Sequence, residues 1–376
     1  VADITAGNLV FTPAAGANGA GYASLTFSVR DANNAYDAAP NTLTVNVTAV
    51  NDAPVLVDSG LTFTVLEDAG APVNGTAVGS PISAFTGSVT DPDGAVAKGI
   101  AIVGSTETNG TWYYTTDAGA TWLTVGAVSD TASLLLADTA GTRLYFAPNS
   151  NYNGNVFPGL IVRAWDQSSG AVGTKVDTSV QGGSTAFSVQ GDTIDPTVIA
   201  VNDPPVFGNL DGTPTFIEGG AAVVLDANVT FTDPELSTLN GGAGDYFGSS
   251  ILLERSGGPN ANDVFSATGN LSPLIEGTSL VLSGVTIGYV TTNSGGTLLI
   301  TFDHNATSAR VNEAVQSIAY SNSSEAPSSS VVINWVSGDG NDGSQGTGGV
   351  LGASGSTTVT ITTVNDAPVL ADTALT

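Results

Sequence analysis

The phrase "AVNDAPVL" at residues 49–56 returns as "AVNDPPVF" at 200–207 and as "TVNDAPVL" at 363–370. Its asparagines, Asn51, Asn202 and Asn365, are 151 and 163 residues apart, each interval being the length of a whole domain. A catalytic motif occurs once per active site, so a phrase recurring at such intervals marks a joint between copies of one unit. The flanking sequence repeats in register with it. "GNLVFTPAAGANG" (7–19) matches "TRLYFAPNSNYNG" (142–154), and "FSVRD" (27–31) matches "IVRAWD" (161–166) as a strand closed by aspartate. Glu67 and Glu218 each stand fifteen residues beyond the joint aspartates Asp52 and Asp203, and "SVTDPDG" (88–94) matches "TFTDPEL" (230–236).

These matches divide the chain into 1–50, the closing half of one repeat; 53–200 and 204–363, two complete repeats; and 367–376, the first strand of another. A half-repeat would expose a sheet edge and its apolar face, so the chain reads as a window within a longer tandem array. Within each repeat, runs such as "TLTVNVTAV" (42–50), "LTFTVLED" (61–68), "TLLITFD" (297–303) and "SVVINWV" (330–336) alternate apolar and polar residues. Period two means strands with one buried face, and many short strands between Gly, Asn and Asp clusters predict an all-β sandwich. The expected architecture is a series of all-β sandwich domains of seven or more strands, arranged in tandem end to end. One segment departs from it: in "NATSARVNEAVQSIAY" (305–320), Val311, Val315 and Ile318 follow the spacing of a helix behind a Thr/Ser start.

Charge narrows the function. Thirty-four acids face seven Lys plus Arg, a formal charge of −27, yet charged residues are only 11% of the chain. Such a surface repels nucleic acid and anionic membranes, and no apolar run reaches the ~18–20 residues of a membrane helix. With no Cys and a single His, His304, zinc and Ser-His-Asp chemistry lack their parts; the expectation is a non-enzyme. Acids gathered without basic partners instead call for a hard cation. In the joint, Pro enforces an extended step, while Asn and Asp present oxygens where two domains meet. Oxygen donors without His or Cys suit calcium. The same Asp-Pro-Asp-Gly sequence also forms a good β-turn with no metal at all.

The joint resembles the calcium-binding linker of cadherins, Asp-x-Asn-Asp-Asn-Ala-Pro, and more closely the cadherin-like repeats of giant bacterial surface adhesins. The resemblance spans essentially the whole chain. It implies calcium held by Asn51 and Asp52 with Asp31, Asp91 and Asp93 at the first joint. At the second it implies Asn202 and Asp203 with Glu67, Asp233 and Glu235; at the third, Asn365, Asp366 and Glu218. The further linker acid of cadherins is replaced by Thr48, Ile199 and Thr362, and the Leu-Asp-Arg-Glu motif is missing, so one or two ions per joint are expected rather than three. The implied role is that of a structural segment of an extracellular, bacterial surface adhesin or filament. Its partners would be neighbouring repeats of the same or an identical chain, and a cell-surface or glycan ligand.

Two other readings stay open. Trp112, Tyr114 and Trp122 in "NGTWYYTTDAGATW" (109–122) form either a glycan-stacking platform or, since Trp112 and Tyr114 share one strand face, part of a core. The repeats are alternatively accessory domains of a secreted hydrolase. Lys98 and Lys175, the only lysines, leave room for an intramolecular Lys–Asn bond with no positive sign of one.

Overall fold

The computed structural model describes residues 2–94 and 97–365; Asp366 and the segment 367–376 lie outside the described residues. The chain divides into two compact units, Val1–Val198 and Ile199–Thr376.

In the first unit, Gly19–Phe27 and Asn41–Val47 form an antiparallel hairpin that is a two-stranded sheet of its own. The rest is a sandwich. One sheet runs Gly154–Asn155, Phe187–Ile199, Leu160–Trp165, Gly99–Ser105, Ser133–Ala137 and Lys175–Val176, with Leu61–Leu66 also paired to Phe187–Ile199. The other runs Ser80–Pro81, Arg143–Pro148, Gly110–Thr115 and Leu123–Thr124. Alternation explains the core between them: Leu160, Val162 and Ala164 from the first sheet meet Trp112, Leu144 and Phe146 from the second, all fully buried. Apolar side chains at every other position face inward and leave water together, the main favourable term in folding.

The second unit repeats the plan. Its larger sheet runs Thr215–Ile217, Ser354–Thr362, Ser330–Gly338, Ser250–Arg255, Thr297–Phe302, Val285–Ser294 and Ser279–Leu282. Thr215–Ile217 joins Ser354–Thr362 in parallel, and every other neighbour in the sheet is antiparallel. A three-stranded sheet of Val223–Val224, Ile318–Asn322 and Asp263–Ala267 lines the other side of the core. Both units are thus all-β sandwiches, as the period-two patterning predicts.

The expected helix is present as Ser308–Gln316, and it buries Val311, Ala314 and Val315 against the core. Thr307 caps it by accepting a hydrogen bond from the Arg310 amide. A second helix, Pro234–Gly242, is not anticipated by the turn-like "TDPEL". Asp233 is its N-cap and Pro234 opens it, the two residue types that also start a β-turn; helical geometry gives way at Leu239–Gly241.

Trp335 sits fully buried in the second unit, donating from its indole nitrogen to Thr357 Oγ1 at 3.0 Å and packing edge-on against Phe207. Trp335→Ala should remove about 3–5 kcal/mol from the unfolding of Ile199–Thr376. In calorimetry the transition of that unit falls while that of the first unit stays in place.

Candidate metal centre

The first two joint motifs are each built into the sandwich that follows them. The strand Leu160–Trp165 runs antiparallel to Phe187–Ile199, with Trp165 opposite Phe187. Since Phe187–Ile199 leads onward to the next joint, residue 166 at the far end of its neighbour returns to where the linker comes in. There Asn51 Nδ2 donates to Asp166 Oδ2 at 2.9 Å and to the Thr185 carbonyl at 3.1 Å, and the Ala53 amide donates to Gly183 O. The Asp52 amide donates to Asp93 Oδ2 at 2.8 Å, and the Asp93 amide closes the Asp-Pro turn onto Asp91 Oδ1 at 2.8 Å.

The second unit wires the equivalent residues in the same way. Asn202 Nδ2 donates to Asp339 Oδ2 at 2.6 Å and to Gly349 O at 3.1 Å. The Asp203 amide donates to Glu235 Oε2 at 3.3 Å, and Asp233 Oδ1 takes the Leu236 amide at 2.9 Å. Asp339, fully buried, ends the strand Ser330–Gly338 and accepts from the Asn341 and Leu351 amides. The loop after it clamps the linker: Asn202 N donates to Thr347 O and Thr347 N to Ala200 O. Two glycines let this loop pack closely, Gly340 against the neighbouring strand entry and Gly346 against the linker. A Cβ at Gly340 (φ +73°) would stand 2.3 Å from the Gly248 carbonyl carbon, and one at Gly346 (φ +128°) 2.8 Å from that of Ala200.

The electrostatics of the two clusters agree. Burial, followed by the charges of Asp166, Asp93 and Asp52, raises the Asp91 carboxyl above its ordinary range, the hydrogen bond from the Asp93 amide working the other way. Asp233 is raised first by burial and then by the charge of Asp339. Glu235 is pushed up to about 7, again chiefly by burial, with Asp233 and Asp203 adding to it. Elsewhere a buried acid is matched: Asp263 receives both the Nε and Nη2 groups of Arg255, at 2.8 and 2.6 Å, and the Tyr320 hydroxyl. Ion pairs among the described residues include those of Asp130, Asp245 and Asp263. Three side-chain oxygens of the clusters, Asp91 Oδ2, Asn202 Oδ1 and Asp233 Oδ2, are buried with no hydrogen-bond partner. Such orphaned atoms are costly and rare in folded proteins. Among the described residues no three acid or histidine side chains already stand close enough together to grip a metal.

Several expected ligands are placed differently. Asp31 is exposed and accepts from the Asn33 and Ala35 amides of its own loop. The strand-end aspartate that reaches Asn51 is Asp166, and its counterpart in the second unit is Asp339. The recurrence of a strand closed by Asp was the available signal for both. Glu67 is buried and accepts from Asn153 Nδ2 at 3.3 Å. Glu218 Oε2 accepts the Val364 amide at 2.8 Å, its Oε1 being buried without a partner. Asn365 is exposed, and Asp366 lies outside the described residues. The glycan platform is corrected: Trp112, Tyr114 and Trp122 are 0%, 7% and 8% exposed. Their rings are spent on packing, Trp112 against Phe63 and Phe146 and Trp122 against Tyr145. His304 stacks on Phe247 with ring centres 3.9 Å apart and meets Asp245 Oδ2 at 3.0 Å.

No family profile and no curated protein matches the chain. Solved structures similar to it include human CDH23 EC21-23 (14% identity, TM-score 0.35, covering 80% of this chain and 72% of that one). Mouse Cadherin-23 EC22-24 (12%, 0.33, covering 87% and 72%) and the human Desmocollin-1 ectodomain (14%, 0.31, covering 91% and 48%) are also similar.

The position of Glu235 sets a pH dependence. A carboxyl that binds its proton more tightly folded than unfolded stabilises the fold when protonated. That contribution is full below the ordinary value of 4.5 and is lost as the pH rises through about 7. Without divalent ions, the melting temperature of Ile199–Thr376 should therefore fall between pH 4.5 and 7, and Glu235→Gln should flatten the fall. An unchanged slope in the variant would show that Glu235 is solvated like a surface acid.

Proposed function

We propose that this chain is a structural segment of a long extracellular repeat protein, an adhesin or surface filament, in which calcium fastens each joint to the repeat it opens. The carrying observation is the pair of buried, unpartnered oxygens, Asn202 Oδ1 and Asp233 Oδ2, within a cluster that also holds Asp203, Glu235 and Asp339. An amide oxygen and four carboxylates, with no His or Cys, form a hard donor set suited to calcium. Asn51, Asp52, Asp91, Asp93 and Asp166 offer the same set in the first unit, with Asp91 Oδ2 as the unpartnered atom. The sequence resemblance of the joints to cadherin-like repeats supports the same reading.

No helix among the described residues is long and apolar enough to cross a membrane. The work assigned to the segment is mechanical rather than catalytic. Without a cation the acids repel one another; at ~5 Å one pair costs roughly 1 kcal/mol in water and several-fold more where solvent is excluded. A cation replaces that repulsion with shared ligation. It binds only when linker and turn are both in place, so its binding energy becomes rigidity of the linker and stability of the loops around it. Neighbouring repeats of the same or an identical chain are the natural partners, and a bacterial cell surface is the setting in which the joint phrase fits best.

Calcium should raise the melting temperature of Ile199–Thr376, and chelator should reverse the rise and open residues 200–206 to protease while the sandwiches stay folded. Asp233→Asn, which keeps an N-cap but loses the charge, should abolish the calcium response of that unit alone. If neither melting nor cleavage responds to calcium, the acids are solvated turns and the reading fails.

A further inference from the structure

Partway along the strand Phe187–Ile199, the first unit carries a groove of about 640 Å³ to which no residue of the joint cluster contributes. Its floor is one face of the larger sheet. Ile161 is paired with Thr193 there, and Asp195, two residues on, shares the same face. One wall is Phe157 and Pro158, in the connection between Gly154–Asn155 and Leu160–Trp165; the other is the segment 58–60. Both walls are tied down. On either side of Phe157, the Gly159 amide donates to Asp195 Oδ1 at 2.8 Å and the Val156 amide to Pro196 O at 3.0 Å. Asp192, which is buried, accepts the Ser59 amide at 3.1 Å and the Ser59 hydroxyl at 3.2 Å.

Phe157 is 77% exposed, the most exposed Phe, Tyr or Trp among the described residues. A lone surface ring needs no explanation, but this one walls a groove whose polar side chains are of a single kind. The carboxylates of Asp58, Asp192 and Asp195 only accept hydrogen bonds, and the Thr193 hydroxyl already donates to Asp195 Oδ2 at 2.7 Å. The lining side chains therefore present acceptors and a ring face, with no donor to spare.

That chemistry separates the occupants. A metal ion does not fit, since no three acids among the described residues stand close enough to grip one. A sugar hydroxyl both donates and accepts, so its accepting side would find no side-chain donor. A guanidinium has five donors, no acceptor, and a plane that stacks on an aromatic ring. Of the chain's seven Lys and Arg, Arg143, Arg163, Arg255, Arg310 and Lys175 already donate to its own carbonyls or carboxylates. The cation therefore comes from a different protein, and a formal charge of −27 draws basic surfaces toward this one.

We propose that this groove docks an arginine side chain on a basic segment of a partner protein. The guanidinium lies on the Phe157 ring and donates to Asp58 and Asp195, while Ile161 receives the apolar stem.

The test uses the full chain with chelator present, which separates this site from any calcium at the joints. Salt is held at about 0.15 M to screen attraction to the net charge. The probe is a fluorescent Gly-Ser-Arg-Ser-Gly peptide, compared with one carrying citrulline, which keeps the planar shape and loses the charge. Saturable binding of the arginine peptide is expected, with shifts of the Gly191 and Thr193 amide resonances. Phe157→Ala, which changes no charge, should weaken it about threefold or more, as should Asp58→Asn and the citrulline replacement. Both positions are exposed, so both units should melt unchanged. Glu325→Gln, the same loss of charge at an exposed site in the other unit, should leave binding as it was. Absence of saturable binding, equal binding of the citrulline peptide, or equal weakening by Glu325→Gln would overturn the proposal. So would a glycan whose binding depends on Phe157 when the arginine peptide does not bind, or a dimer of the chain that covers Phe157.

Discussion

The architecture of the joints at Asn51 and Asn202 rests on one contact, the side-chain amide of the linker asparagine donated to the aspartate that closes a distant strand. Asn51 reaches Asp166 and Asn202 reaches Asp339, and each bond ties the incoming linker to the body of its sandwich. Asparagine suits the place because its amide is both donor and acceptor. The NH2 group meets part of the aspartate's demand for donors, and the carbonyl oxygen is left without a partner in the second unit. That oxygen is the unpartnered Asn202 Oδ1. A leucine there would take from the buried aspartate its side-chain donor, leaving only backbone amides on it, and an aspartate would add another like charge.

From that contact the rest follows in layers. The antiparallel return of the strands puts Asp166 and Asp339 at the end of the sandwich where the linker enters. The Asp-Pro segment then rises to meet the linker amides of Asp52 and Asp203 through Asp93 and Glu235. In the second unit this segment caps a helix, in the first it stays a turn, and the acids reach equivalent partners either way. Backbone geometry varies, and the set of oxygens is held. Carboxyls raised by burial and mutual repulsion are what a cation site requires before the cation arrives.

The legible part of this organisation was local. Alternation in "SVVINWV" and "TLLITFD" is visible residue by residue, and Val311 and Val315 announce the helix Ser308–Gln316 by spacing. The joints were legible because they repeat. What eluded sequence reasoning depends on topology. Asp166 and Asp339 lie 115 and 137 residues from the asparagines they serve, and only the direction of the strand decides which joint a closing aspartate faces. Asp31 was assigned forward to Asn51 for that reason, whereas the fold returns such residues to the joint that precedes them. Trp112 was ambiguous because a strand face shows which residues go together, not whether that face meets water or the opposite sheet.

The claim that these clusters are cation sites, built once per repeat, is tested most directly by counting bound calcium. Equilibrium dialysis of the full chain at neutral pH should give at least one ion for each described cluster. Asp166→Asn and Asp339→Asn should each remove the ions of their own unit, leave those of the other, and together leave both units empty. Stoichiometry unchanged by the paired substitutions would contradict the account.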